Sequence, residues 1–309
     1  MITQPIQLLP TRHAKIWGST NLSPWFDANG EQIGEYWFSA DQNQTSLGVT
    51  LGELVDTYGP SLIGSEIKLA ESKGSSGSFP ILVKFLFTNG YLSVQVHPDD
   101  DYGWKHENSP GKTEMWYILR AEPGARIALG FKETVNRAVV AKALESPAIM
   151  DLLQWVDAQP GQSYFVKAGT VHALGAGLAV CEIQQNSDIT YRLYDYGRRR
   201  ELHLDQSLAV ADLYPHPGAS KFAETESGST LAKCPYFATQ LLHFKNMRTG
   251  IGDPSRFELL IFTAGKGRIG GMPFQLGECW LIPAGCATYT IEPSEPVEML
   301  RTFVPPAGN

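Results

Sequence analysis

Residues 161–172 read GQSYFVKAGTVH, and residues 277–288 read GECWLIPAGCAT. The two stretches align without a gap: each has a glycine, a short apolar strand, and a glycine turn that presents one further residue. Because a solenoid needs at least about three repeats, two copies predict a pair of related β modules. Upstream, residues 114–130 and 258–271 match more loosely, which extends the repeat.

The two copies end on different residues. His172 ends the first copy, and Thr288 ends the second. Imidazole is a common metal ligand, whereas a threonine hydroxyl is a weak one. A ligand-type residue is therefore expected in one module and not in the other.

Composition supports a β fold. At about 150 residues per domain, 309 residues suggest two domains. Hydrophobic residues make up 43% and charged residues only 18%, which argues against a disordered or coiled-coil chain. The 30 glycines and 20 prolines favour a turn-rich protein. We predict a mainly β protein of two β-barrel modules with a few short helices.

Local patterns place the elements. Three helices are expected: residues 50–58, which open with the capping-box spacing of Thr and Glu, residues 142–156, and residues 204–213 with Asp205 as a cap. A polar segment rich in Pro, Gly and Ser, residues 215–228, is the predicted linker between modules. Strand patterns cover residues 81–88, 91–97, 115–119, 125–129, 236–242, 257–263, 278–282 and 289–291.

Charge and hydropathy exclude several classes of partner. The net charge of −7 gives no support to nucleic-acid binding, which needs a basic surface. No apolar run is long enough to cross a bilayer, so no membrane partner is expected. Residues 1–10 lack the pattern of an export signal, and the four cysteines form no CxxC pair. We therefore expect a cytoplasmic protein with reduced thiols.

Three strands carry polar side chains on one face. Ser93, Gln95 and His97 alternate with valines, so they project to the same side of a strand. Lys112 shares a face with Glu114 in the next strand, and Val180, Glu182 and Gln184 do so in a third. A polar strand face is usually solvated. Three such strands, each with ionisable or ligand-type groups, indicate instead convergence inside a barrel together with His172.

The implied ligands are the oxygens of Gln95 and Glu114 and the imidazole nitrogens of His97 and His172. Two imidazoles with oxygen donors suit a borderline divalent ion such as zinc, with one position open for water or substrate. No thiolate is included, which favours a catalytic site over a closed structural one. The other histidines are expected to be ordinary core or surface residues: His13, His106, His203, His216 and His243.

An arginine-rich segment follows. Arg192 and Arg198 flank aromatic residues, and guanidinium groups recognise phosphate or carboxylate through paired hydrogen bonds. We assign these two to an anion site. For Arg199 and Arg200 the favoured interpretation is a solvated loop, paired with Asp195 and Glu201.

Together these motifs resemble the type I mannose-6-phosphate isomerases of the cupin superfamily, most closely the short bacterial form. The resemblance covers most of the chain in order. It rests on Ser93-x-Gln95-x-His97-Pro98, Lys112-Thr113-Glu114-x-Trp116, Gly169-Thr170-x-His172-Ala173 and Tyr191-Arg192-x-Tyr194-Asp195-Tyr196-x-Arg198, with Trp17-Gly18, Ile33-Gly34-Glu35-x-Trp37, Ser39 and Cys234-Pro235-Tyr236-Phe237. Lys167 departs from the usual cupin proline, and Tyr36 and Phe38 depart from the family's usual residues around Trp37.

The resemblance implies two cupin-like jelly-roll modules. Residues 1–214 would form the catalytic module, with N-terminal loop and helix elaborations, and residues 215–309 a second, metal-free module. One zinc ion per chain would be held by four ligands, and the remaining site residues would have roles in catalysis or substrate binding. The ligands are Gln95, His97, Glu114 and His172; the catalytic residues are Arg192, Lys112 and Glu182; the substrate contacts are Ser93, Lys112 and Arg198.

The implied reaction interconverts an aldose phosphate and a ketose phosphate by proton transfer between C1 and C2 through a cis-enediol. The base could be Glu182, Lys112 or a hydroxide on the metal. The partner would be a phosphorylated hexose, and the chain a monomer or homodimer. Two other functions stay open: an iron-dependent cupin oxygenase, and a non-catalytic or differently specific sugar-phosphate-binding cupin.

Overall fold

The computed structural model describes residues 2–67, 69, 77–144, 146–220, 223–225 and 228–306. Part of the predicted linker, residues 221, 222, 226 and 227, lies outside this set. The described chain is mainly β, as predicted. Its strands are β1 (Ile6–Leu8), β2 (Thr11–Ser19), β3 (Ile33–Trp37), β4 (Ile81–Thr88), β5 (Val94–Val96), β6 (Glu114–Ala121), β7 (Arg126–Phe131), β8 (Leu153–Asp157), β9 (Ser163–Val166), β10 (His172–Leu174), β11 (Leu178–Gln185), β12 (Tyr191–Tyr194), β13 (Ala223–Thr225), β14 (Gly228–Lys233), β15 (Ala238–Phe244), β16 (Arg248–Ile251), β17 (Glu258–Ala264), β18 (Lys266–Ile269), β19 (Met272–Gln275), β20 (Cys279–Ile282), β21 (Thr288–Pro293) and β22 (Val297–Phe303).

The helices are short. Among the described residues, none is long and apolar enough to cross a membrane. They are α1 (Leu51–Tyr58), α2 (Pro60–Ile63), α3 (Asp100–His106), α4 (Arg137–Ala143), α5 (Ile149–Leu152) and α6 (Leu204–Val210).

Two pairs of sheets form two modules. In the first, a six-stranded sheet in the order β2-β3-β4-β11-β6-β9 faces a five-stranded sheet in the order β12-β5-β10-β7-β8. In the second, the corresponding sheets are β1-β20-β17-β22-β15-β14-β13 and β16-β21-β18-β19. The N-terminal strand β1 lies before residue 215, the predicted boundary between the modules. It nevertheless pairs with β20 and so extends a sheet of the second module.

The large sheets of the two modules pack on each other. One apolar cluster includes Phe85 and Cys181 of the first module and Ile261 and Leu300 of the second, all fully buried. β4 therefore has no solvated face: its odd-numbered residues pack between the modules, and its even-numbered residues face the interior of the first barrel. All eight of its residues are buried as a result.

The repeat read from the sequence is also a repeat in structure. Val166 lies opposite Glu114, and Ile282 lies opposite Glu258, in the same antiparallel register. Each copy then turns with the same backbone hydrogen bond, from Thr170 to the Lys167 carbonyl and from Cys286 to the Pro283 carbonyl. Lys167 thus makes the turn without the proline of the second copy.

One predicted helix is wrong. Instead of a helix over residues 142–156, the chain has α4, α5 and then β8, which pairs with β7. α4 begins earlier because the Asn136 side chain accepts a hydrogen bond from the Val139 amide as its cap. Pro147 disfavours a continuous helix, because proline has no amide hydrogen and restricts the residue before it. Trp155 and Val156 prefer a strand, where Trp155 lies opposite Ala128.

The caps of the other predicted helices differ in outcome. Thr50 and Glu53 form the predicted capping box at α1. α6 ends at Val210, three residues before the predicted end, and Asp205 lies in its first turn without capping it. The side chain of the actual N-cap, His203, makes no cap hydrogen bond.

Candidate active site

Three strands bring the predicted ligands together inside the first barrel. Gln95 of β5 lies directly opposite His172 of β10. His97 follows β5 directly, and Glu114 begins β6 on the facing sheet. The ligand atoms of His97, Glu114 and His172 all lie within 4.8 Å of one another, and all three residues are buried. This is the only metal-type cluster that the described residues contain.

Both imidazoles are held by backbone carbonyls. His97 Nδ1 lies 2.7 Å from the Ile189 oxygen, and His172 Nδ1 lies 2.8 Å from the Thr170 oxygen. A carbonyl only accepts, so each Nδ1 donates and each Nε2 keeps its lone pair. Burial lowers the pKa of His172 to about 4 and that of His97 well below its ordinary value. Both rings are therefore neutral near pH 7, which is the ligand form.

The donor atoms fit a metal ion. His97 Nε2 and Glu114 Oε1 are buried without a hydrogen-bond partner. Glu114 Oε2 is 3.6 Å from His97 Nε2, and Glu114 Oε1 is 3.5 Å from His172 Nε2. Buried polar atoms without partners are costly, so such a group needs an explanation. A divalent cation between two imidazoles and a carboxylate would satisfy all of them.

Gln95 reaches the same point. Its Nε2 is 3.2 Å from His172 Nε2, and its Oε1 accepts from Ser93 Oγ at 3.2 Å. A half-turn of the amide exchanges its oxygen and nitrogen, which would direct the oxygen toward the imidazole cluster. Ser93, Gln95 and His97 therefore lie together as their alternation predicted.

Lys112 is buried beside the ligand cluster. Its Nζ is 3.0 Å from Glu114 Oε2. Burial opposes the ammonium charge, but Glu114 and then Glu182 outweigh it and raise the pKa of Lys112 above its ordinary value. The site thus contains a fixed cation in addition to any metal.

Glu182 lies on the barrel wall with a partner that the sequence reasoning missed. Trp116 Nε1 donates to Glu182 Oε1 at 3.1 Å, and Lys84 Nζ is 3.7 Å from Glu182 Oε2. Lys84 is 3% exposed. A lysine within the otherwise apolar strand ILVKFLFT is unusual, and this sequence signal could have identified Lys84 as a buried, paired charge. Burial and the nearby Glu114 raise the pKa of Glu182, although Lys112 and Lys84 oppose the shift.

Arg192 lies next to the predicted ligands. It is directly opposite Gln95 in the sheet, and opposed residues project to the same face. Its Nη1 donates to the Glu201 carbonyl at 2.7 Å, and its Nε is buried without a partner. The guanidinium is therefore held at the wall of the barrel with donor capacity left over.

The other arginines surround one buried carboxylate. Asp195 is 2% exposed and accepts from Arg198 Nη2 at 2.6 Å. Arg200 binds the same group with two hydrogen bonds, from Nε at 2.8 Å and Nη2 at 2.6 Å. Arg200 is thus paired with Asp195 as predicted, but the pair is not fully solvated. Arg199 is exposed, as expected for a loop residue.

Comparisons with known proteins show what the whole chain is similar to. Residues 6–123 match the family model described as phosphomannose isomerase type I, catalytic domain. The chain is 34% identical to the mannose-6-phosphate isomerase ManA of Bacillus subtilis over 316 aligned positions, which cover 94% of this chain and 97% of the relative.

Solved structures share the whole fold. A crystal structure of the mannose 6-phosphate isomerase from Bacillus subtilis superposes with a TM-score of 0.84 at 28% identity, covering 97% of this chain and 99% of that one. A mannose 6-phosphate isomerase described as bound with zinc and yttrium has a TM-score of 0.77 at 17% identity, covering 98% and 100%. At that lower identity the likeness concerns the fold alone.

Proposed function

The chain belongs to the type I phosphomannose isomerase family, and from this premise we propose that it interconverts mannose 6-phosphate and fructose 6-phosphate with a bound divalent metal ion. The proposal takes its substrates from the relatives' names. An iron-dependent oxygenase would leave the arginines around Asp195 without a role. A non-catalytic sugar-phosphate-binding relative is expected to lack Arg192 or a metal ligand, and this chain retains both.

One observation carries the proposal. His97 Nε2 and Glu114 Oε1, which have no hydrogen-bond partner, converge with His172 inside the first barrel, beside the buried Lys112. Isomerisation through an enediol develops negative charge on two sugar oxygens. A site with a metal, Lys112 and Arg192 is suited to hold that charge. The metal ligands would be Gln95, His97, Glu114 and His172.

Several residues of the chain would act directly on the sugar. When bound, zinc would supply Lewis acidity toward the carbonyl. Arg192 would donate its free N–H groups to the developing oxyanion. One base must move the proton between C1 and C2 on the same face, and Glu182 on the barrel wall is the candidate, because Lys112 is held as a cation beside Glu114. The resulting intermediate is a cis-enediol.

The phosphate would be held beside the arginines that bind Asp195. Arg198 would bind it directly, with Ser93 and Lys112 as further contacts. Its guanidinium is held by Asp195 and by the Tyr91 carbonyl at 2.9 Å, so its orientation is set before substrate arrives. Phosphate binding far from C1 and C2 supplies energy that orients the reacting carbons.

Four further expectations accompany this function. We propose one zinc ion per chain, a cytoplasmic location, a monomeric or homodimeric state, and a boundary between the catalytic and metal-free modules at residue 215. Two imidazoles with oxygen donors support the choice of zinc.

Metal analysis of the purified protein combined with a coupled assay for both hexose phosphates tests the function. We expect about one zinc per chain and turnover in both directions. Iron with oxygen-dependent turnover would instead indicate an oxygenase. A metallated protein that binds the sugar phosphates without converting them would be a binding relative, and either result would overturn the proposal.

A further inference from the structure

A hydroxyl group of the second module reaches the segment that flanks the candidate active site. Tyr236 belongs to the Cys-Pro-Tyr-Phe motif between β14 and β15, which the metal chemistry leaves without a role. Its hydroxyl donates to Asp100 Oδ2 at 2.8 Å. Asp100 begins α3, only three residues after His97. A hydrogen bond thus joins the metal-free module to the helix that follows a metal ligand.

The other oxygen of Asp100 fixes the segment before Glu114. Asp100 Oδ1 accepts from the Gly111 amide and from Gln185 Nε2, both at 2.9 Å. Gln185 Oε1 in turn accepts from the Thr113 amide at 2.8 Å. The amide between them, that of Lys112, donates to the Pro98 carbonyl at 2.9 Å. Three consecutive amides are therefore held.

This segment has little freedom to move elsewhere. A Cβ atom on Gly111 would lie 2.3 Å from the Asp99 carbonyl carbon, so the two backbones are in direct contact. The Thr113 hydroxyl accepts from the Ala168 amide at 3.3 Å, in the turn that leads to His172. The segment and that turn are thus joined, and both precede predicted metal ligands.

We propose that Tyr236 is a positioning residue for the active site. Its hydroxyl holds the Asp100 carboxylate, and Asp100 with Gln185 holds the backbone that aims Lys112 and Glu114. The metal-free module therefore contributes to the site of its neighbour without contacting substrate. Burial and the hydrogen bond to Asp100 raise the pKa of Tyr236, so the phenol stays a donor at neutral pH.

The test compares two tyrosines with the same chemistry. Tyr289 of the second module also donates its hydroxyl to a carboxylate, Glu258 Oε2 at 3.1 Å, but it has no link to residues 111–113. Tyr236→Phe and Tyr289→Phe each remove one oxygen. Amide hydrogen exchange of the metal-loaded full chain, without substrate, reports the backbone of Gly111 and Thr113 directly.

We expect Tyr236→Phe to speed exchange at Gly111 and Thr113 by about tenfold, and Tyr289→Phe to leave it unchanged. We expect kcat to fall by about tenfold in Tyr236→Phe only, as for other residues that orient metal ligands. In an Asp100→Ala background, adding Tyr236→Phe should change neither quantity further, because the acceptor is already lost.

Wild-type exchange rates in Tyr236→Phe would overturn this inference, and so would equal acceleration in Tyr289→Phe. The kinetic part rests on the proposed isomerase function. The exchange measurement does not, since it uses no substrate. A wild-type protein that converts neither hexose phosphate, with exchange still accelerated in Tyr236→Phe, would contradict the proposed function and support the positioning role.

Discussion

Glu258 of the second module is the counterpart of Glu114 of the first, because each begins its strand opposite the equivalent residue of the repeat, Ile282 and Val166. Their surroundings differ. Glu114 faces two imidazoles, whereas Glu258 accepts from the Tyr289 hydroxyl and lies 3.7 Å from Arg301 Nη1.

The register extends this correspondence. Arg301 lies opposite Leu260, as Glu182 lies opposite Trp116 in the first module. A cation therefore occupies the position at which the first module has a carboxylate. Arg301 is also bound to Gln240 Oε1 by its Nε and Nη2. In the second module an internal ion pair thus lies at the position that corresponds to the cluster of His97, Glu114 and His172.

Metal content should distinguish the two glutamates. Glu114→Gln should reduce bound zinc from about one per chain to near zero, because an amide is a poor substitute for a carboxylate ligand. Glu258→Gln keeps the acceptor for Tyr289 and should retain both zinc and turnover. Elemental analysis and the isomerase assay measure these outcomes, and loss of zinc from the Glu258 variant would contradict the assignment.

His172→Ala should lose metal and activity together. In the proposed ligand set its imidazole supplies one of the nitrogens, and the metal-type cluster among the described residues includes no histidine besides His97 that could replace it. His106→Ala is the control. That ring lies outside the cluster and stacks on Tyr102, with 4.1 Å between the ring centroids. A fully metallated, active His172 variant would refute the ligand set.

Arg192→Ala should lower kcat by about 10²- to 10³-fold while zinc content stays normal, because a donor to a developing oxyanion acts mainly in the transition state. Arg199→Ala removes an exposed arginine from the same segment and should turn over at the wild-type rate. Steady-state kinetics and metal analysis of the same preparations measure these outcomes. Turnover near the wild-type rate in the Arg192 variant would exclude a role of Arg192 in stabilising the oxyanion.

Asp195→Asn should weaken substrate binding more than it slows chemistry. The amide has one acceptor oxygen and no charge, so it holds Arg198 and Arg200 less firmly, and we expect the KM for the sugar phosphate to rise by about tenfold. Asp253→Asn breaks a similar pair with Arg256 in the second module and should leave KM unchanged. An unaltered KM in both variants would show that Asp195 does not contribute to phosphate binding.

Ser39 should contribute to stability rather than to catalysis. Its buried hydroxyl donates to the Ile81 carbonyl at 2.8 Å and accepts from the Val83 amide at 2.9 Å. Ser39→Ala leaves both groups unpaired, which should cost about 1–3 kcal/mol of unfolding free energy. Denaturant titration measures this, with Ser294→Ala as an exposed control. Equal stability of the two variants would show that the hydroxyl is dispensable.

The sequence by itself determined the repeat, the polar strand faces and the candidate ligands. These are local properties: a period of two aligns Ser93, Gln95 and His97 whatever the rest of the chain does. The gap-free alignment of residues 161–172 with 277–288 likewise depends on no distant contact. For the same reason the difference between His172 and Thr288 could be read directly.

Only the tertiary structure decided what surrounds these residues. Lys84 beneath Glu182, the buried Asp195 between two arginines, and Tyr236 on Asp100 each depend on contacts or burial that no local pattern encodes. The helix predicted over residues 142–156 failed for a related reason, since Trp155 gains a strand partner in β7. Sequence periodicity predicts the face of a strand on which a side chain lies. Only the fold brings residues that are distant in sequence together. Burial, charge pairing and the contact between Tyr236 and Asp100 therefore depend on the tertiary structure.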